Sequence, residues 1–468
     1  MYSPRRPALL LLAALSLLSF CGCATFSVKT EPMRLAYARG DYALAETDVD
    51  RLLTEEAGAS GKSKKGAVDA AKGDNALFLL EKGTIRLARN DPESAVRYLR
   101  QARDVLDANF VYDTGSFIRD IASMLVDDTI RKYPGADYEH ILVRSMLALT
   151  DLMAGGGDAF AYAVQVGEKQ EEIIGSPLGE LRGEKGLPKP REHYRRVGFG
   201  AYLQGVIRED KLIFDEAERA YERALSFERG SNAVYSEAVD RIRNPRLSIG
   251  PTGVLHVFDL AGTGPYLAET RENPTAEAIR LATIILGAMN NKVAFIVQAP
   301  IPVPKVAVSD PYPPPLWVQV NGKDIQTATV LDVNLIAREQ LDANMPWIMA
   351  RALARRAVKG IASQKVGRVA ASGVRGGETK ELVQDLTTIA ASIVSTAIEN
   401  ADTRSWSTLP AQIRTARVEL PEGVQHVYLG SAGWVDVRIA AGHASYVLVV
   451  RPGRGAANAV VVDRYSKP

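Results

Sequence analysis

The chain of 468 residues holds two cysteines, Cys21 and Cys23, and none after residue 23. Disulfides, cysteine-ligated zinc, thiol nucleophiles and iron–sulfur clusters are therefore excluded from everything beyond that point. Histidine is scarce as well. His140, His193, His256, His426 and His443 include no pair at i, i+4 and no H-E-x-x-H, so neither a metal site nor a cofactor is expected. A surplus of one charge is also missing. Without Arg5 and Arg6, 55 Lys and Arg face 55 Asp and Glu, which argues against the clustered positive charge that nucleic-acid binding requires. No apolar run reaches the roughly 20 residues of a membrane-spanning helix. The G-x-S-x-G elbow and the S-x-x-K set of peptidoglycan acyl-transferases are absent too, and the expectation is a protein that is not an enzyme.

What is present begins at the N-terminus. Arg5 and Arg6 form a basic segment, Ala8 to Phe20 an apolar stretch of about a dozen residues, and Gly22 a small residue before Cys23. This resembles a bacterial lipoprotein signal, with residues 1–22 removed and Cys23 as the lipid-attachment residue. Cleavage before Cys21 is disfavoured, because bulky Phe20 stands where a small residue is needed. Several acyl chains, at ~0.8 kcal/mol per buried CH₂, make such an anchor effectively permanent. Ala24 replaces the Asp that retains such lipoproteins at the inner membrane. The resemblance thus implies an outer-membrane protein facing the periplasm.

The fold class expected is multi-domain α+β. An N-terminal helical repeat domain spans 23–245, a mixed α/β domain 246–410, and a small antiparallel β-rich tail 411–468. Within the first, Gly83, Ala95, Leu99 and Ala102 are spaced by twelve, four and three residues, and Gly205, Ala217, Tyr221 and Ala224 repeat that spacing. A small residue on one helix lets the next cross closely, and the later positions continue its buried stripe. GTIRLARNDPESAVRYLRQA and GVIREDKLIFDEAERAYERA resemble tetratricopeptide repeats, which makes Gly83, Ala95, Gly205 and Ala217 repeat-packing residues. Residues 38–53 look like a third copy with Ala45 at the crossing and Met33 where glycine is expected. A fourth, with slipped spacing, lies near Leu142 to Gln170.

Polar stretches at Glu56–Gly73 and Gly175–Glu192 read as loops, and Arg243-Asn244-Pro245 with Gly250-Pro251-Thr252-Gly253 ends the helical region. Strand signals follow in GVLHVFDL, VAFIVQA, PLWVQV and ATVLDV, with a turn at Asn321-Gly322. Helical patterns then cover Ala337–Ala362 and Glu378–Asn400, and five short β runs close the chain. This order of parts, together with Asp402, Thr403, Arg404, Trp406, Leu409 and Pro410, resembles an uncharacterised family of bacterial envelope lipoproteins with tetratricopeptide-like helices. Members are often encoded beside a lipoprotein activator of penicillin-binding proteins, which implies a setting in cell-wall assembly.

Other motifs read blandly. Gly61-Lys62-Ser63 lacks the first glycine of a phosphate loop, and Asp259 to Gly264 reads as a tight strand-to-strand turn. His256 and His426 alternate with apolar neighbours and are expected to face solvent. Glu171 and Glu172 read as a solvated helix face. Arg351, Arg355 and Lys359 place three cations on one helical face, and Pro300–Pro315 reads as a stiff loop joining strands. Asp402, Arg404 and Trp406 are the most promising polar group, either as a hydrogen-bonded interdomain joint or as an exposed anchor for a partner. The functional expectation is a lipid-anchored scaffold or adaptor. It would bind an envelope protein partner in the concave face of its repeats, touch the membrane through its anchor, and engage no nucleic acid or metal. The alternatives are an envelope enzyme acting on peptidoglycan or glycan, and an adaptor of an export or surface-assembly machine.

Overall fold

The computed structural model describes residues 25–59, 74–110, 132–176, 187, 189–244, 251–288, 299–308, 313–371, 400–453, 455–456 and 458–468. Helices fill the N-terminal half: α1 (Phe26–Lys29), α2 (Glu31–Ala38), α3 (Tyr42–Ala59), α4 (Asn75–Ala88), α5 (Pro92–Asn109), α6 (Asp137–Ala154), α7 (Ala159–Gly175), α8 (Phe199–Asp210), α9 (Phe214–Ser226) and α10 (Ala233–Arg243). Starts are set by local chemistry. Asp91 accepts the Ser94 amide at 3.1 Å with Pro92 in the first turn of α5, and Asn232 accepts the Val234 and Tyr235 amides of α10.

The helices pair as antiparallel hairpins whose crossings follow the sequence spacing. A Cβ on Gly83 would lie 2.7 Å from Leu99 Cγ, and one on Gly205 only 2.4 Å from the Tyr221 ring. Glycine is needed at both because the facing side chain lies directly on the backbone. Ala45, Ala95 and Ala217 are fully buried at the crossings, and so is Met33. Three turns share one conformation: Gly40, Asn90 and Leu212, each seven residues after Met33, Gly83 and Gly205, have φ of 80°, 58° and 59°. Between α6 and α7 the left-handed residue is Gly155, and the longer Gly155-Gly156-Gly157 link explains the slipped spacing there.

Beyond Arg243 the chain turns to strands. Sheet A has the order β11 (Ala459–Val462), β10 (Ala444–Arg451), β1 (Thr252–Thr263), β7 (Pro410–Pro421), β6 (Ala328–Asp332), with β1 and β10 parallel and the other pairs antiparallel. Sheet B pairs β2 (Tyr266–Glu272) with β3 (Ile301–Ala307). Sheet C runs β5 (Lys323–Gln326), β4 (Trp317–Val320), β8 (Gly423–Tyr428), β9 (Trp434–Ile439). α11 (Ala276–Ala288) packs against the long α12 (Val333–Ala371) and β3 through Leu281, Ile285, Ile301, Trp347 and Leu353.

Sheet A is covered on both faces. Leu255, Val257, Ala416, Val418, Val447 and Val449 pack on Val318, Val427 and Val437 of sheet C. The alternate residues Phe258, Leu260, Ile413, Leu448 and Val450 join the core of the helical half, where the Phe199 and Phe258 rings meet at 6.4 Å. The helices-first, strands-later order gives a multi-domain α+β architecture. Residue 410 divides no sheet, since β7, β10 and β11 complete the sheet that β1 and β6 begin. Segments on both sides of the expected boundary therefore share one core.

Three local expectations are corrected. His256 is 2 % exposed rather than solvent-facing, stacked between the rings of Phe258 and Tyr446, because the helical half covers that face of β1. Within Pro300–Pro315, Pro302 and Pro304 lie in β3, which among the described residues pairs only with β2 and so tolerates prolines. The tight strand-to-strand turn expected over Asp259 to Gly264 lies later: Asp259 to Thr263 continue β1, and Gly264-Pro265 alone link it to β2, carrying the chain from sheet A to sheet B. The observed α12 extends the expected helix at both ends. VAFIVQA, Gly61-Lys62-Ser63 and the Glu378–Asn400 helix up to residue 399 fall outside the described residues, except for Ala299 and Asn400. Among the described residues no helix is long and apolar enough to cross a membrane.

Candidate functional site

Residues 401–409, between α12 and β7, lie against the helical half, irregular as far as Trp406 and then turning at Ser407-Thr408. The segment first folds on itself: Asp402 Oδ1 accepts the Arg404 amide at 3.1 Å and its Nε at 2.9 Å, while Oδ2 faces Nη2 at 2.7 Å. Arg404 then reaches Asp74 at the start of α4 at 3.1 Å and lies over the Tyr133 ring. Burial works against the guanidinium charge, but Asp402 and Asp74 outweigh it and raise the Arg404 pKa above its ordinary value. Thr403 Oγ1 accepts the Ser27 amide at 3.1 Å, and Ser405 Oγ accepts the Leu267 amide at 3.0 Å.

Two buried carboxylates receive the next three residues. Glu139 Oε1 accepts the Trp406 amide at 2.7 Å, and its other oxygen accepts the Ala136 amide and the Tyr133 hydroxyl. Glu81 Oε1 accepts the Ser407 amide and hydroxyl at 2.7 and 2.8 Å. Its Oε2 accepts the Thr408 amide and hydroxyl at 3.0 and 2.5 Å. The Trp406 side chain is fully buried, and its Nε1 donates to Thr84 Oγ1 at 3.0 Å. Burial pushes both glutamates above the ordinary carboxylate range; Thr408 and Ser407 pull Glu81 part of the way back, and the Tyr133 hydroxyl followed by the Trp406 amide does so for Glu139. The structure thus brings Asp402, Arg404 and Trp406 together between the helical half and sheets A and B. In the helical half the segment is held by α4, through Asp74, Glu81 and Thr84, and by α6, through Glu139.

Glu81 and Glu139 were not among the residues singled out from sequence. A signal existed for Glu81: it follows the wholly buried run Ala76 to Leu80, where an unpaired carboxylate would be costly. Gly83, Ala95, Gly205 and Ala217 sit at helix crossings away from open surface. Arg351 and Arg355 are half-buried on α12, and the Lys359 side chain lies outside the described residues, as does Cys23. Glu171 faces solvent and pairs with Arg196 at 2.8 Å, whereas Glu172 bonds Lys169.

A polar cleft of about 390 Å³ opens between α5, α6 and α7 around Arg103, Asp107, Arg144 and Lys169. Asp107 meets Arg144 at 2.6 Å and Lys169 at 3.3 Å, and Lys169 lies 4.1 Å above the Phe110 ring. Burial alone would raise the Asp107 pKa, but His140, Arg144 and Lys169 bring it far below the usual carboxylate range. The network joins three helices and neutralises itself. Among the described residues no group of three His, Cys, Asp or Glu is placed to hold a metal ion. No protein-family model matches the chain, and no curated protein is significantly similar to it.

Proposed function

We propose that the protein is a lipid-anchored adaptor of the bacterial cell envelope, held by Cys23 at the outer membrane and facing the periplasm. On this reading its tetratricopeptide-like hairpins serve two ends. Helices α4 and α6 hold the 401–409 segment and so tie the helices to the sheets, while an exposed hairpin tip meets a partner protein.

The observation that carries this reading is Leu212. The matched turns use Gly40 and Asn90, residues at ease with positive φ, but here a leucine adopts φ 59°. A left-handed leucine costs roughly 1–2 kcal/mol. Strain of this kind is retained where it serves function. Leu212 is also 62 % exposed and is followed by Ile213 and the half-exposed Phe214, so three successive apolar side chains reach solvent at one turn. Stability alone favours Asn or Gly there. A docking anchor for a protein partner accounts for both the strain and the exposure.

Leu212→Asn is expected to keep or raise thermal stability, by up to about 1 kcal/mol, while abolishing one discrete crosslink. The measurement is photo-crosslinking in cells from a probe at residue 214, with and without the substitution. A crosslinked envelope protein that persists unchanged in Leu212→Asn would sink the assignment of this tip. The anchor is tested separately: Cys23→Ser should move the protein from the membrane pellet to the soluble periplasmic fraction, and continued membrane retention would contradict the lipid-attachment assignment.

A further inference from the structure

We propose that the outer face of sheet C is a binding site for a neutral oligosaccharide. The strand registers define this face. Val424, His426 and Tyr428 of β8 stand opposite Arg438, Asp436 and Trp434 of β9, and Gln319 of β4 stands opposite Tyr428 on one side and Asp324 of β5 on the other. Trp317, paired with Gln326, shares the face two positions along β4 from Gln319. The alternate residues Val318, Val427 and Val437 point inward to the core, so the exposed set is the whole second side of the sheet.

Its aromatic content is unusual for an open surface. The Trp434 and His426 rings are stacked at 4.4 Å with 5° between planes, and Tyr428 lies 5.0 Å from Trp434 at 45°. Trp434 is 59 % exposed and Trp317 48 % exposed. His426 Nδ1 is hydrogen-bonded to Asp436 Oδ1 at 2.5 Å, which fixes the imidazole as a platform beneath the indole. Of the chain's four tryptophans, Trp347 and Trp406 are buried and these two face out.

Size and chemistry select the occupant. Four strands of 4 to 6 residues cover roughly 15 Å by 13–20 Å, on the order of 300 Å². A stable protein interface buries about 800 Å² per partner, and its centre is depleted in charged side chains. This face is much smaller, and hydrogen-bonding groups stand among its rings: Gln319 beside Tyr428, Gln326 beside Trp317, Asp436 beside His426. A pyranose has the matching surface. Its axial C–H bonds present a weakly positive apolar face to the negative face of an aromatic ring, and its equatorial hydroxyls radiate at the edge toward amides and carboxylates. The charges nearly balance, with Asp324 and Asp436 against Arg438 and a histidine bonded to Asp436, so a neutral sugar chain fits better than a strongly ionic one. The proposal stands independently of the Leu212 docking tip, since the two surfaces share no residue.

The test titrates the detergent-solubilised full chain with hexamers of β-1,4-linked N-acetylglucosamine, of β-1,4-linked glucose and of α-1,4-linked glucose, read by calorimetry and by tryptophan emission. At least one hexamer should bind saturably with an emission shift, and Trp434→Ala should weaken it at least tenfold. Trp317→Ala should weaken it several-fold, and both variants should keep the parent melting temperature. Should Trp434→Ala fail to fold, Tyr428→Ala and Gln319→Ala carry the same expectation. No binding of any hexamer at millimolar concentration, or binding that both tryptophan variants leave intact, would overturn the proposal. So would sedimentation showing that the face pairs with a second copy of the chain, lost in Trp434→Ala.

Discussion

Replacing Glu81 by alanine is expected to destabilise the protein by about 3–5 kcal/mol and to separate the unfolding of its two halves. The substitution strands four donors: the amides of Ser407 and Thr408 and both hydroxyls. The hydroxyls can rotate toward other acceptors, so the two buried amides dominate the cost at about 1–3 kcal/mol each. Relief of the buried carboxylate's own desolvation offsets part of this. Glu81→Gln keeps one acceptor oxygen but turns an amino group toward two donors, and should fall between alanine and the parent. Calorimetry checks the effect: one cooperative transition for the parent, and an earlier, split transition for Glu81→Ala. A melting profile unchanged by Glu81→Ala would show that the segment is not held as described.

Trp406→Ala is expected to cost a similar ~3–5 kcal/mol, for a different reason. The indole is the largest fully buried side chain of the molecule, and its removal leaves a cavity among α4, α6 and the 401–409 backbone. Trp406→Phe separates packing from hydrogen bonding. It keeps much of the ring but loses the Nε1 donor to Thr84, whose hydroxyl still donates to the Leu80 carbonyl at 3.2 Å. The phenylalanine variant should therefore lose only about 1–2 kcal/mol. Chemical denaturation of both variants gives the order; a loss from phenylalanine equal to that from alanine would mean that the hydrogen bond, not the packing, dominates.

These effects mark what was legible in the sequence. The helical hairpins were readable because their crossings impose a local rule: a small residue at Gly83 or Gly205, then alanine twelve positions on. The turn at Asn321-Gly322 is equally local, with both residues at positive φ. His256 was misread because alternation reports which residues share a face and not what covers it. Only the arrival of α8 and α10 on sheet A, through contacts such as the Tyr235 hydroxyl to the Val330 carbonyl at 2.7 Å, makes that face interior. The parallel pairing of β1 with β10 links residues about 190 positions apart, a distance over which no local pattern speaks.

The 401–409 site shows the same division. Asp402, Arg404 and Trp406 stand out by residue type and by lying between a helix and a strand. Their receptors, Glu81 and Glu139, lie on helices more than 260 residues upstream, and nothing in their spacing relates them to each other or to Trp406. The aromatic face of sheet C was invisible for a related reason. Trp317, Tyr428 and Trp434 come from three separate strands and meet only through register.

Amide hydrogen exchange at Trp406, Ser407 and Thr408 reads the joint itself, because each amide donates to a buried carboxylate of the helical half. Protection comparable to that of the α4 and α6 core is expected, lost together at all three residues when Glu81 is replaced by alanine. Exchange of these amides within seconds in the parent protein, at the rate of an open loop, would contradict it.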